Sequence, residues 1–200
     1  MPLLIAIGLA GLLAIVGGTV VAQFGVRRSP EPASALAAGA PTGSRTLPSA
    51  PTVLFVVALA YFTAIAAVLT FHYGSIMGDA ESRVADAWYV FFTRDPHLAA
   101  IGFVWNPLPS ILVMPFFLFR SIWPSLTHRA FAGDLASAIF MALSAVELFR
   151  ILRQLGTSKF VSWAMVIIFV ANPMIAFYGA NGMTEAFYLF FLLVATRYLM

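Results

Sequence analysis

Apolar positions in this chain come in long runs, broken by short polar islands. Five runs approach the roughly 20 apolar residues that a spanning helix needs: 2–26, 51–73, 131–154, 160–175 and 183–200. The fourth is short and reaches 177 only by borrowing residues around Tyr178. A sixth run, 111–123, carries Pro115 and Arg120 and is predicted to lie in the interface rather than to cross. The pattern therefore predicts an all-α fold, a polytopic transmembrane helix bundle with interfacial helices in its first outer loop. Its parts are an N-terminal span (1–26), a Pro/Ala/Ser/Gly-rich flexible linker (27–50) and a membrane region (51–200). That region has spans at 51–73, 131–154, 160–177 and 183–200 and an outer loop at 74–130. The first run lacks a basic leader and is read as an uncleaved span, with a cleaved signal peptide as the alternative.

Composition sharpens this. The chain is 62% hydrophobic and 10% charged, against about a quarter charged in soluble domains. It has no cysteine, which excludes a disulfide framework, thiolate metal sites and a cysteine nucleophile. No basic cluster interleaved with aromatics points to nucleic acid. Alanine-rich, lysine-poor usage suggests a bacterial source, and the spans suggest the plasma membrane.

Basic residues mark cytoplasmic loops. Arg27, Arg28 and Arg45 then lie inside, as do Arg150, Arg153, Lys159 and Arg197. This requires an even number of crossings between the two sets, which 51–73 and 131–154 supply. Of eight carboxylates, Glu31 is in the linker and Glu147 sits near the inner end of a span, able to pair with Arg150. The remaining six, Asp79, Glu81, Asp86, Asp95, Asp134 and Glu185, all fall on the outer side. Acids contribute little to topology, so their one-sidedness points to a site there.

The outer loop opens Gly78-Asp79-Ala80-Glu81, and 79–93 can form an amphipathic helix. Asp79, Arg83 and Asp86 share one face, and Val84, Ala87, Trp88 and Phe91 the other. Arg94-Asp95-Pro96-His97 and Trp105-Asn106-Pro107-Leu108-Pro109 follow, with a new helix expected near Ser110. A second polar island runs from Asn172-Pro173 through Asn181-Gly182-Met183-Thr184-Glu185, where Asn181 or Thr184 can cap the last helix.

A span, an outer loop opening Gly-Asp-x-Glu, an interfacial helix and a Pro-Leu start to a second apolar helix together resemble the first half of C-type (GT-C) membrane glycosyltransferases. The resemblance covers about residues 51–200. It implies transfer of a sugar from a polyprenyl-phosphate carrier to an extracytoplasmic glycan, lipid or protein acceptor, with the bilayer as solvent. It implies catalytic roles for Asp79, Glu81 and Glu185 and places Asn181 at the substrate. The chemistry of transfer then makes Asp79 the expected base with Glu81 as its helper, and Arg83, Arg94 and His97 candidates for the leaving phosphate. The resemblance also implies that Asp79 and Glu81 can hold a divalent ion, Mg or Mn. Family members run longer, so the chain is expected to be the N-terminal part of such an enzyme or to need a partner chain. The same acids also suit helix N-termini, and His97 suits a turn. A non-catalytic scaffold or partner subunit is the rival function. A transporter component fits less well, because the middles of the spans carry almost no ionisable residue.

Overall fold

A computed structural model describes residues 49–102, 104 and 106–200. The predicted first span and nearly all of the linker lie outside them. The chain divides after Val53, and the unit Leu54–Met200 carries the fold described below.

Every regular element among the described residues is helical, with no strand. Helix α1, Ala50–Ala67, continues as a π-helical turn, Val68–His72, within one residue of the predicted span. Leu54, Ala58, Phe62, Ala66 and Thr70 recur every fourth position and are its buried stripe. Its other residues are half-buried or exposed, with Val53, Val56, Val57, Tyr61, Val68 and Phe71 among the exposed ones.

Helix α2, Gly78–Phe92, follows, then a 3-10 turn at Leu98–Ile101. Helix α3, Pro107–Val113, runs on as a 3-10 segment, Met114–Phe119. It starts three residues before the expected Ser110 because Asn106 accepts a hydrogen bond from the Leu108 amide and Pro107 takes the first helical position. Its 13 residues are fewer than the roughly 20 that cross a bilayer. A short helix α4, Ser125–His128, leads into α5, Phe131–Gln154, whose bounds match the predicted span.

Helix α5 is the axis of the fold: 78% of its most apolar stretch is buried, against 22% for α1. Small residues make this possible. Ala132, Gly133, Ala136, Ser137, Ala138, Ala142, Ser144 and Ala145 let neighbouring backbones approach. These two helices, α1 with its π turn and α5, are long and apolar enough to cross a membrane.

The predicted span at 160–177 is not one helix. Helix α6, Lys159–Ala171, stops at Asn172, and α7, Pro173–Tyr178, restarts behind it. Pro173 disfavours helical geometry at Asn172, whose side chain instead caps α7 by accepting from the Met174 amide at 2.9 Å. Helix α8, Glu185–Leu199, then packs along α5 in the most extensive helix pairing of the fold.

At one end of α5, Glu147 is fully buried between two arginines. Arg150 Nη1 lies 2.8 Å from one carboxylate oxygen and Arg197 Nε 2.5 Å from the other. The i,i+3 pair follows from the sequence spacing. The Arg197 arm ties α8 to α5 and sets their register. Near the other end, about 20 Å away along the axis, Thr70 Oγ1 donates to Asp134 Oδ2 at 2.6 Å. This bond holds the π turn of α1 against the first turn of α5. Thr70→Val should cost about 1–3 kcal/mol, because a buried carboxylate oxygen loses its donor. Thermal unfolding in detergent micelles reads this loss.

Candidate functional site

The first turns of α2 and α5 and the turn before α8 meet. Ala80 and Val84 of α2 lie over Gly133, and Ala80 also lies against Gly182. Gly182 has φ +72°, and a Cβ there would stand 2.8 Å from that of Ala80 and 3.1 Å from Asp134 Oδ1. Only glycine suits both this backbone and this space. Ser137 Oγ donates to the Met183 carbonyl at 3.2 Å, and Asn181 Oδ1 accepts from the Met183 amide at 3.1 Å. The turn carrying Asn181 to Glu185 is thus fastened to α5 by Ser137 and braced from within by Asn181.

This geometry corrects the predicted cap. Thr184 occupies the N-cap position of α8 but makes no side-chain cap bond, and Asn181 serves the turn instead. Two polar atoms here are buried with no hydrogen-bond partner, Asn181 Nδ2 and Glu185 Oε2. One is a donor and the other an acceptor, and both come from the same turn.

Arg83 was expected on a polar face with Asp79 and Asp86. Instead it is 5% exposed. The wheel shifts because Ala80, Val84, Ala87 and Val90 form the inward stripe, and Arg83 flanks it. Its Nη1 reaches Met183 Sδ at 3.8 Å, which brings a cation to the Asn181–Glu185 turn. Partial burial pushes the Asp86 carboxyl above the usual carboxylate range, and the charge of Arg83 pulls it back. Asp79, half-buried, sits one helical turn before Arg83 on the same side of α2.

Glu81 does not join them. Two residues apart on a helix means about 200° around its axis, so Asp79 and Glu81 diverge. The pair does not fit a single Mg or Mn ion, and among the described residues no group of three or more His, Cys, Asp or Glu is placed to hold one. Glu81 lines an open cavity of about 330 Å³ with Val84, Ala85, Trp88, Tyr89, Thr127 and His128.

Arg94 and His97, expected as substrate contacts, stand apart. They follow the C-terminus of α2, about 22 Å along its axis from Asp79. His97 Nδ1 lies 2.6 Å from the Asp95 carbonyl oxygen and 3.7 Å from its carboxylate, and all three residues are exposed. This is a surface turn. Asp134, Thr70, Ser137 and His128 were not picked out as site residues by the sequence. Asp134 was counted among the six outer-side acids, and its place in the first turn of an otherwise apolar helix was the further signal.

No protein-family model, curated protein or solved structure matches the chain. The site therefore rests on its own geometry. It can offer a free carboxylate oxygen, an amide donor and a guanidinium to a ligand held over the end of α5.

Proposed function

We propose that the protein is a polytopic membrane glycosyltransferase of the C type, or the N-terminal part of one. It moves a sugar from a polyprenyl-phosphate carrier to an acceptor hydroxyl on the outer side of a bacterial plasma membrane. The meeting of the Gly78–Arg83 turn with the Gly182–Glu185 turn carries this reading. It gathers Asp79, Arg83, Asn181 and Glu185 over one end of α5, while Glu147, Arg150 and Arg197 occupy the other. Exposed apolar surface on α1, on α6 (Phe160, Ile167, Ile168) and on α8 (Tyr188, Phe191, Leu192) supports a lipid surround.

The chemistry is a displacement at the anomeric carbon. The acceptor hydroxyl gives its proton to the free Oε2 of Glu185, and its oxygen bonds to that carbon. The carbon–oxygen bond to phosphate breaks, and the phosphate leaves with the electron pair. Arg83 offsets the charge gathering on the phosphate, and Asp79 lies one helical turn before it on the same side of α2. Burial without a partner suits Glu185 to the base role, since a hydroxyl proton is the one donor it lacks. A non-catalytic scaffold would need none of this.

The full chain in nanodiscs, supplied with polyprenyl-phosphate sugars and a glycan acceptor, tests the reading. Glu185→Gln should lower transfer by about 10²-fold or more with an unchanged melting temperature, and Asp79→Asn should lower it less. Full transfer in both variants removes these carboxylates from the reaction, and no transfer by the parent chain with any such donor favours the scaffold.

A further inference from the structure

The cavity between α2 and α4 has a composition of its own. Glu81, Ala85 and Trp88 recur along the side of α2 away from Arg83, Tyr89 adds a second ring, and Thr127 and His128 close it from α4. One wall is aromatic. Beside the rings on α2 stands a carboxylate, which only accepts hydrogen bonds when ionised, and α4 adds an imidazole, which does both. Thr127 Oγ1 donates to the Pro124 carbonyl at 3.1 Å, so its lone pairs are left for a ligand's donor.

The charges weigh against two ligand classes. A cation on the Trp88 face meets Arg120, whose guanidinium already lies 5.8 Å from that ring and 4.1 Å from the neighbouring Phe92 ring. An anion meets Glu81. A neutral ring with an apolar face and several hydroxyls meets neither obstacle. Its C–H face lies on the aromatic wall, its hydroxyls donate to Glu81 and accept from His128, and about 330 Å³ is within the usual range of small-ligand sites.

We propose that this cavity is a sugar-binding subsite, with Glu81 and His128 as its hydrogen-bonding pair and Trp88 as its stacking platform. That the sugar is the acceptor of the transfer rests on the function proposed above, whereas binding itself does not. The sugar arrives either free or as a lipid headgroup.

The chain has no cysteine, so Ala85→Cys places one thiol in the cavity wall. Maleimide modification of this variant in nanodiscs is measured with methyl hexosides and methyl pentosides in solution, with the same sugars on lipids in the disc, and with choline or inorganic phosphate. Saturable protection by a soluble glycoside assigns a free sugar, and protection only by the glycolipid assigns a headgroup. Glu81→Gln should weaken protection about tenfold, the loss of one hydrogen bond to a charged group. Trp88→Leu should weaken it too, with unchanged modification in the absence of sugar as the control for folding. Protection by choline or phosphate alone, or by no sugar in either form, overturns the assignment. Binding without any detectable transfer leaves the subsite standing and sinks only the acceptor role.

Discussion

Glu147→Ala is expected to lower stability by about 3–5 kcal/mol, the cost of breaking a buried ion pair from one side. The Glu147 side chain is wholly buried, while Arg150 and Arg197 are 18% and 16% exposed. Both arginines lose this carboxylate together, and their partial exposure lets some of the freed charge reach water, which places the loss toward the lower end. The interaction also crosses from α5 to α8, so the variant should lose the docking of α8 before the rest unfolds. Replacing all three residues by methionine should recover most of the loss, because an apolar trio of similar volume carries no stranded charge. Unfolding in detergent micelles followed by circular dichroism measures both variants. A single substitution as mild as the triple one would mean that the triad sets register without contributing stability.

How the two ends of α5 differ was readable from the chain. Basic residues at 150, 153, 159 and 197 fall at one end, and Asp134 and Glu185 fall at the other. Long apolar runs with polar stops leave little freedom in where a helix begins and ends, and so the bounds of α1 and α5 were legible. The interior of the site was not. Arg83 was read as a surface residue because a helical wheel ranks faces by polarity and does not know which neighbour will press on them. Gly133 and Gly182 supply that neighbour. They let α2 settle onto α5 along Ala80 and Val84, and this turns Arg83 inward.

Arg94 and His97 were grouped with Asp79 because they are near in sequence. A helix of 15 residues carries them the length of that helix away. The pairing of Asp79 with Glu81 failed in the opposite sense, since residues two apart in sequence point in nearly opposite directions once the segment is helical. Thr70 and Asp134 lie 64 residues apart, and no local pattern joins them. The break at Asn172-Pro173 was visible as a polar island, but its apolar flanks still read as one span. Apolar content reports the solvent around a segment and not the continuity of its hydrogen bonds.

Gly182→Ala should damage both fold and transfer, and a matched control separates the causes. The backbone there, at φ +72°, costs a side chain about 1–2 kcal/mol. The added methyl also meets the Ala80 Cβ at 2.8 Å, Asp134 Oδ1 at 3.1 Å and the Gly133 carbonyl carbon at 3.3 Å. Two of these are rigid, so α2 must lift, at a further cost of about 1–3 kcal/mol. Gly156 has φ +79° with nothing within 4 Å of its Cβ position, so Gly156→Ala should show the conformational cost alone. The difference between the two melting temperatures isolates the close approach of α2 to the turn. Lifting α2 by about 1 Å moves Asp79 and Arg83 away from Glu185, and misplacement of that size costs on the order of 10² in rate. Transfer should therefore fall far more in Gly182→Ala than in Gly156→Ala when both are assayed well below their melting temperatures. Equal activity in the two would detach the α2 turn from the chemistry and leave Glu185 to act without Arg83.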